Sequence, residues 1–310
     1  MTKVLITGAT GLLGQVMTAD LAHRHDVVAL VHKRRFVGYS PAQIAVDLTD
    51  GKQAKLVWDS QRPELVVHTA ALASIDLCEA QPDLAQILNC EVPATIARLC
   101  GEHGSKLVHV STDAVFDGTS GPNREDDPVL PQSVYARTKL AGERACLDIL
   151  PEALVARVNF FGPSGPPRRG LAAFFLDALS HGRVVSGFVD VEFTPTYSRD
   201  LGDLLIAAAE AGITGIRHCG GRDRLSKYEF GRLVAEVFGY DPELVREASV
   251  SALGTPARRV SRLSMDSTLL AGELERQLPS VRDGLQRMRH DLDSGYETRL
   301  VRELAQTFYP

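Results

Sequence analysis

The sequence predicts an α/β protein in which a doubly wound parallel sheet, the Rossmann fold, is followed by a smaller mixed C-terminal lobe. In the first half of the chain, short apolar runs alternate with helical patterns, which is typical of a parallel sheet built from βαβ units. The first apolar run leads directly into a glycine-rich turn and a helix. The alternation weakens beyond a loop rich in proline and glycine, residues 163–170.

Composition excludes several classes of protein. The chain has 310 residues, a net charge of −5 and no long basic run, so nothing indicates binding to nucleic acid. No apolar run reaches the length of a membrane span, and the chain starts in a strand rather than a secretory leader. The five cysteines have the spacing of neither a metal site nor a disulfide framework. We therefore expect a soluble cytoplasmic protein with reduced thiols and without a metal or a membrane partner.

The glycine-rich turn predicts a dinucleotide site. A strand over residues 3–7 is followed by Gly8, Gly11 and Gly14, and then by a helical pattern. This arrangement points backbone N–H groups and a helix N-terminus at a pyrophosphate; the alternative is a plain turn. The predicted cofactor-binding residues of the turn are Gly8, Thr10, Gly11, Leu12 and Leu13.

The end of the second strand bears on the choice between NADP and NAD. Residues 27–31 form this strand, and His32, Lys33, Arg34 and Arg35 follow it without an acidic residue. An acidic residue here binds the ribose 2′-hydroxyl of NAD, whereas basic groups accommodate the 2′-phosphate of NADP. We therefore predict that His32, Lys33 and Arg34 favour NADP(H) over NAD(H); the alternative is a solvated basic loop.

Two further strand ends carry cofactor candidates. The third strand ends in Asp47 and Leu48, which we expect near the adenine. The fourth strand, residues 65–71, ends in Ala70 and Ala71. Their small side chains let the backbone pass close to a cofactor, although tight packing alone explains them equally well.

The next predicted helix, residues 83–103, is interrupted at Pro93. Asn89 lies near the interruption. It is a candidate either for burial in a bend or for a proton relay. His68, in the apolar fourth strand, is interpreted as a core histidine rather than a catalyst.

The central helical run provides the candidate for proton transfer. Tyr135 and Lys139 are four residues apart, with no proline from residue 134 to residue 150, so a helix places both side chains on one face. A nearby ammonium group is expected to lower the pKa of the phenol towards neutrality. Taken alone, such a pair also occurs on solvated helix faces.

A strand that precedes this helix strengthens the hypothesis. Residues 106–110 are apolar and end in Ser111, Thr112 and Asp113. In parallel sheets the loops beyond the carboxyl ends of the strands form the ligand crevice. Hydroxyl groups at that edge can bind a substrate oxygen, so these three residues join the candidate site.

Beyond the central helix, residues 154–158 predict another strand, followed by Asn159, a further substrate-binding candidate. In the loop that follows, Arg168 and Arg169 could clamp a diphosphate. The alternative is that these two arginines are merely solvated.

The chain is predicted to have two parts. Residues 1–160 form an NADP-binding Rossmann domain, and residues 161–310 form mainly a substrate-binding lobe. Two strand-like segments of the second part, near residues 184–188 and 215–218, could rejoin the first sheet.

Together these motifs resemble the extended short-chain dehydrogenase/reductase superfamily, and more narrowly its dTDP-4-dehydrorhamnose reductase branch. The resemblance covers essentially the whole chain and rests on residues 7–14, 47–50, 110–118, 135–143, 194–197 and 259–263. It implies Thr112, Tyr135 and Lys139 as a catalytic triad, with Asn89 at the proton-relay position. It also implies NADPH-dependent reduction of a 4-keto group on a nucleotide-linked deoxysugar, by a chain that could form a homodimer.

One position departs from the branch and leaves alternatives open. The branch usually has tyrosine after Ser-Thr-Asp, but Ala114 stands here. Related dehydratases carry glutamate at this position, so dehydration is not expected. The remaining alternatives are a nucleotide-sugar epimerase with a tightly held cofactor, and a non-catalytic NADP-binding subunit like the regulatory subunit of methionine adenosyltransferase.

Overall fold

The computed structural model describes residues 1–36, 41–163, 170–250, 261–296 and 300. Its strands, numbered in chain order, are β1 (Lys3–Thr7), β2 (Asp26–Val31), β3 (Ala42–Ala45), β4 (Leu65–His68), β5 (Lys106–Thr112), β6 (Leu154–Val158), β7 (Phe160–Phe161), β8 (Val185–Phe188), β9 (Glu192–Phe193), β10 (Thr196–Tyr197), β11 (Gly215–His218), β12 (Leu225–Ser226) and β13 (Val245–Ala248). Its helices are α1 (Leu12–Leu21), α2 (Gly51–Gln61), α3 (Ile75–Ala80), α4 (Pro82–Gln86), α5 (Val92–His103), α6 (Val134–Ile149), α7 (Leu171–Ser180), α8 (Ser198–Glu210), α9 (Lys227–Phe238), α10 (Thr268–Glu273) and α11 (Val281–Asp293). None of the described helices is both long and apolar enough to cross a bilayer.

The central sheet has seven parallel strands in the order β11-β6-β5-β4-β1-β2-β3. The chain first builds outwards from β1 through β2 to β3, and then returns to add β4, β5 and β6 on the other side. The order therefore reverses between β1 and β4, and such a reversal opens a crevice at the carboxyl ends of the strands. The predicted doubly wound parallel sheet is confirmed.

Helices cover both faces of this sheet because side chains alternate along each strand. Ile6 of β1 lies in one apolar cluster, with Met17 of α1 and Leu205 of α8. Its neighbour Leu5 lies in the opposite cluster, with Trp58 of α2 and residues of α5. Each fully buried side chain of this size contributes about 1.5–3 kcal/mol to folding. The two clusters therefore hold the strand ends, and the crevice they form, in place.

The second lobe has its own apolar cluster and small sheets. The ring of Phe230 on α9 packs against Phe161 at a centroid distance of 5.2 Å and against Phe193 at 5.6 Å. Two-stranded sheets pair β7 with β10, β9 with β12 and β8 with β13.

The two segments proposed to rejoin the first sheet behave differently. The strand β11 extends the central sheet beyond β6, and α8 packs on the same sheet face as α1. The strand β8 instead pairs with β13 in the second lobe. The central sheet thus takes its last strand from beyond residue 160.

The helix predicted over residues 83–103 is divided differently from expectation. A π-helical turn, Ile87–Glu91, joins α4 to α5. Pro93 lies in the first turn of α5, where the missing N–H of proline costs little. The irregularity at Asn89 is therefore the π-helical turn, not a break caused by the proline.

Candidate active site

The helix α6 packs against β5, and these two elements position the candidate catalytic side chains. The Ser133 hydroxyl caps α6 by accepting a hydrogen bond from the Ala136 N–H at 3.1 Å. Tyr135 then lies in the first turn of the helix, with Lys139 one turn further on. Thr112 is the last residue of β5, so the phenol, the ammonium and this hydroxyl lie at the same edge of the sheet.

Four candidates form one hydrogen-bonded group, here called the strand-end cluster: Thr112, Asp113, Tyr135 and Asn159. The side chains of Thr112 and Tyr135 are hydrogen-bonded to one another. The Thr112 hydroxyl also donates to Asp113 Oδ1 at 3.1 Å and accepts the Ala114 N–H at 3.1 Å. Asn159 Nδ2 donates to Asp113 Oδ2 at 2.6 Å. The structure therefore brings together four of the predicted site residues.

Burial has the largest effect on the pKa values in this cluster. It raises the pKa of Tyr135 to about 12, against the hydrogen bond from Thr112, which lowers it. The expectation that Lys139 moves the pKa of the phenol towards neutrality is therefore wrong. Burial also raises the pKa of Asp113 to about 6, although its hydrogen bonds with Asn159 and Thr112 lower it.

The Lys139 ammonium is buried beneath α6 and donates to the Val110 carbonyl at 2.7 Å. Burial lowers the pKa of Lys139 to about 8, and the carboxylate of Glu143 opposes that shift. The side chain is therefore charged at neutral pH, and it donates one hydrogen bond to the backbone of β5.

The Asn89 side chain fastens a loop to α6. Its Oδ1 accepts the Leu72 N–H at 2.8 Å, while its Nδ2 donates to the Leu72 carbonyl and to Thr138 Oγ1, both at 3.1 Å. The Asn89 carbonyl oxygen faces α6 so closely that a Cβ at Gly142 would lie 2.1 Å from it. Burial in a bend thus describes the Asn89 side chain.

Ser111 points under α6, where it joins a buried ion pair that the sequence analysis missed. Its hydroxyl donates to Glu143 Oε1 at 2.5 Å. The Arg157 guanidinium donates to both oxygens of Glu143, with the Nη2–Oε2 distance at 2.8 Å. Glu143 and Arg157 are 1% and 2% exposed. The prediction that Ser111 faces the substrate is corrected, because its one hydrogen is donated to this carboxylate.

The glycine turn after β1 fits a pyrophosphate. Gly8 has a φ of +64°, and a Cβ there would lie 2.6 Å from the Ala70 nitrogen. A Cβ at Gly14 would lie 2.2 Å from the Gly8 carbonyl oxygen. Gly11 begins α1 without a side-chain cap, and no acidic residue lies in the first turn. This helix N-terminus therefore keeps its positive end and its N–H groups for an anion.

The remaining turn residues are placed in different environments. Leu13 is buried in the core, so only its backbone could bind a ligand, whereas Thr10 and Leu12 are half-buried at the turn. Ala70 lies against Gly8, and Ala71 beyond it is exposed.

The basic end of β2 is exposed. His32, Lys33 and Arg34 lie at the surface. Leu48, the sequence neighbour of Asp47, is half-buried. Hydrogen bonds from Thr49 hold the pKa of Asp47 below its usual value, with smaller contributions from the charges of His32 and Lys33. The cations and the candidate adenine-contacting strand end are therefore neighbours in space.

Arg168, Arg169 and His68 are the remaining residues named from the sequence. Arg168 and Arg169 lie outside the described residues. His68 is 1% exposed, shares a 2.6 Å hydrogen bond with Thr7 Oγ1, and has its pKa lowered by burial to about 3, which is the environment of a core histidine. Lys227, at the start of α9, acts electrostatically on Asp113. The sequence carried no signal for that electrostatic interaction, because it joins segments over 100 residues apart.

The sheet is doubly wound and has an uncapped glycine turn where its strand order reverses. A helix with Tyr135 and Lys139 lies beside the threonine that ends β5. These features define a nicotinamide-dependent oxidoreductase of the short-chain dehydrogenase/reductase type. The chain belongs to the RmlD substrate binding domain family, which matches residues 1–294.

Similar proteins include a reductase and a subunit of methionine adenosyltransferase. The chain is 34% identical over 312 residues to a dTDP-4-dehydrorhamnose reductase of Mycobacterium tuberculosis, covering 91% of this chain and 98% of the relative. It is also 31% identical over 278 residues to methionine adenosyltransferase 2 subunit beta of Xenopus laevis, covering 83% and 78%. A crystal structure of a dTDP-4-dehydrorhamnose reductase from Bacillus anthracis in complex with NADP has a TM-score of 0.83 at 24% identity, covering 94% of this chain and 100% of that one. At that identity the structural likeness shows the fold alone.

Proposed function

We propose that this protein reduces a 4-keto group on a nucleotide-linked deoxysugar, with NADPH as the hydride donor. The observation that carries the proposal is the strand-end cluster, which places the Tyr135 phenol and the Thr112 hydroxyl together at the sheet edge where Lys139 is buried. The reductase name of the relative from Mycobacterium tuberculosis supports the substrate class.

The residues present fit the dinucleotide. The N-terminus of α1 and the turn around Gly11 would hold the pyrophosphate. The exposed Lys33 and Arg34 would bind the 2′-phosphate. Lys139 would bind the nicotinamide ribose with the donor groups that its contact to Val110 leaves free.

The reaction needs one hydride and one proton. When bound, the reduced nicotinamide supplies the hydride to the carbonyl carbon. Tyr135 donates its proton to the carbonyl oxygen, and its raised pKa keeps the phenol protonated at neutral pH. Thr112 donates a hydrogen bond to the same oxygen, where negative charge develops. The products are the secondary alcohol and a phenolate that is reprotonated from solvent.

A direct assay tests this function. Purified protein is mixed with NADPH and a panel of dTDP-, UDP- and GDP-linked 4-keto sugars, and the absorbance of the reduced nicotinamide is followed. We expect consumption of one NADPH for each alcohol formed. Epimerised product without net NADPH consumption would indicate the epimerase instead. NADPH binding without turnover on any sugar would indicate the non-catalytic subunit, which the resemblance to methionine adenosyltransferase 2 subunit beta keeps as the second candidate.

The cofactor preference gives a separate prediction. Replacing Lys33 and Arg34 together by alanine should raise the KM for NADPH about tenfold and leave the KM for NADH nearly unchanged. Each exposed charge pair with the 2′-phosphate contributes up to about 1 kcal/mol, and about 1.4 kcal/mol corresponds to a tenfold change. Lys55→Ala, an exposed cation on α2 paired with Asp59, is the matched control. Equal losses with both cofactors would contradict the assignment of these cations to the 2′-phosphate.

A further inference from the structure

The Thr112 hydroxyl has one hydrogen and a carboxylate next to it. That hydrogen is donated to Asp113 Oδ1, and the hydroxyl accepts the Ala114 N–H, each at 3.1 Å. A hydroxyl has only one hydrogen to donate, so in this arrangement Thr112 does not donate into the crevice.

The Asp113 carboxyl is held in place beside Thr112. Its side chain is buried, and its second oxygen accepts Asn159 Nδ2 at 2.6 Å. Among the described residues, the charged or titratable groups that interact with it electrostatically are Lys227 from α9 and Tyr135 from α6. Because an ionised carboxylate is the strongest acceptor within reach of Thr112, it retains the hydroxyl hydrogen.

We propose that Asp113 is a positioning residue for the reduction, and that Thr112 donates to the substrate oxygen only when the Asp113 carboxyl carries a proton. This inference rests on the proposed function. A protonated Asp113 donates to Thr112, whose two lone pairs are then taken by Asp113 and Ala114. The Thr112 hydrogen can then be donated to the carbonyl oxygen in the crevice.

The sign of the pH dependence follows from this arrangement. Burial raises the pKa of Asp113 to about 6, so the donating form is present below that pH and is lost as the pH rises through it. Tyr135, with a pKa of about 12, stays protonated throughout. Lys139 titrates separately at about 8. The kcat/KM for the ketone, which depends on the ionisation of the free enzyme, should therefore fall about tenfold between about pH 5 and pH 7.5, the size expected for losing one hydrogen bond to a charged group.

Asp113→Asn is the informative variant. An amide donates to Thr112 through its N–H and accepts Asn159 through its oxygen, so it imitates the protonated carboxyl at every pH. We expect kcat/KM to show no step near pH 6 and, at about pH 7.5, to be about tenfold above that of the wild type. Asp117→Asn, four residues along the chain with its carboxylate bonded to Thr119, is the matched control and should keep the wild-type step. A step that persists in Asp113→Asn, or a variant that is slower than the wild type at all pH values, would overturn the inference.

A second measurement separates this inference from the proposed function because it needs no turnover. Carboxyl ¹³C resonances of the NADPH-free protein are titrated by NMR in the wild type, Asp113→Asn and Thr112→Val. We expect one resonance to titrate near pH 6 in the wild type, to be missing in Asp113→Asn and to titrate at higher pH in Thr112→Val, which lacks the donor. If Thr112→Val leaves that titration unmoved, the coupling is refuted even in a working reductase. If the titration behaves as expected and no ketone is reduced, the proposed function fails instead.

Discussion

Tyr135→Phe should lower kcat for ketone reduction by about 10²–10⁴-fold while leaving the affinity for NADPH nearly unchanged. The substitution removes the one group proposed to deliver a proton to the substrate oxygen, and positioned acid catalysis contributes a factor of that size. It keeps the ring, which is half-buried, so the fold should be retained. A loss in kcat without a loss in cofactor binding is the signature of an interaction made in the transition state.

The measurement combines steady-state kinetics, NADPH binding by fluorescence and thermal unfolding. Tyr228→Phe is the matched control, since that hydroxyl lies in the second lobe and contacts Arg232. It should keep the wild-type kcat. Wild-type turnover in Tyr135→Phe would remove the phenol from the mechanism, and an equal fall in NADPH affinity would mean that the substitution disturbs the cofactor site.

Local patterns in the sequence were sufficient to predict the parts of the site built from contiguous residues. The turn at Gly8 and Gly14 is one such part, because both positions have too little room for a Cβ and only glycine meets that demand. The face shared by Tyr135 and Lys139 is another, since it follows from helical periodicity alone.

Properties that depend on the surroundings could not be predicted in the same way. The charge rule for Tyr135 and Lys139 considered one pair, whereas burial of the phenol has the larger effect and raises its pKa. Ser111 was assigned to the crevice because it ends a strand, but residue alternation turns its side chain under α6. Glu143, which is paired with Arg157, holds Ser111 there. No local sequence pattern pairs an arginine in an apolar strand with a distant helix.

That buried ion pair is the basis of the second large prediction. Arg157→Met should lower the free energy of unfolding by about 3–5 kcal/mol, because it leaves the Glu143 carboxylate without its counter-charge in the protein interior. Arg157 also lies over the ring of Phe116 at 5.2 Å, so the guanidinium is fixed from two sides. Urea unfolding measures the loss, and methionine keeps most of the side-chain volume, so that a cavity is not the cause.

A triple variant distinguishes the missing charge from lost packing. In Ser111→Ala/Glu143→Met/Arg157→Met every member of the buried polar group is replaced by an apolar side chain, and no carboxylate or hydroxyl is left unsatisfied. Its unfolding free energy should lie within about 1 kcal/mol of the wild type, since apolar replacement of a buried pair is often neutral. A triple variant as unstable as Arg157→Met alone would show that shape, rather than charge pairing, holds α6 on the sheet.

The same triple variant should change the pH dependence of catalysis. Glu143 opposes the lowering of the pKa of Lys139, so its removal should move that pKa further below about 8. Lys139 then loses its charge at a lower pH, and the fall in kcat with rising pH should begin earlier than in the wild type. A stable triple variant whose alkaline limb is unmoved would show that Glu143 anchors α6 mechanically and has no electrostatic effect on Lys139.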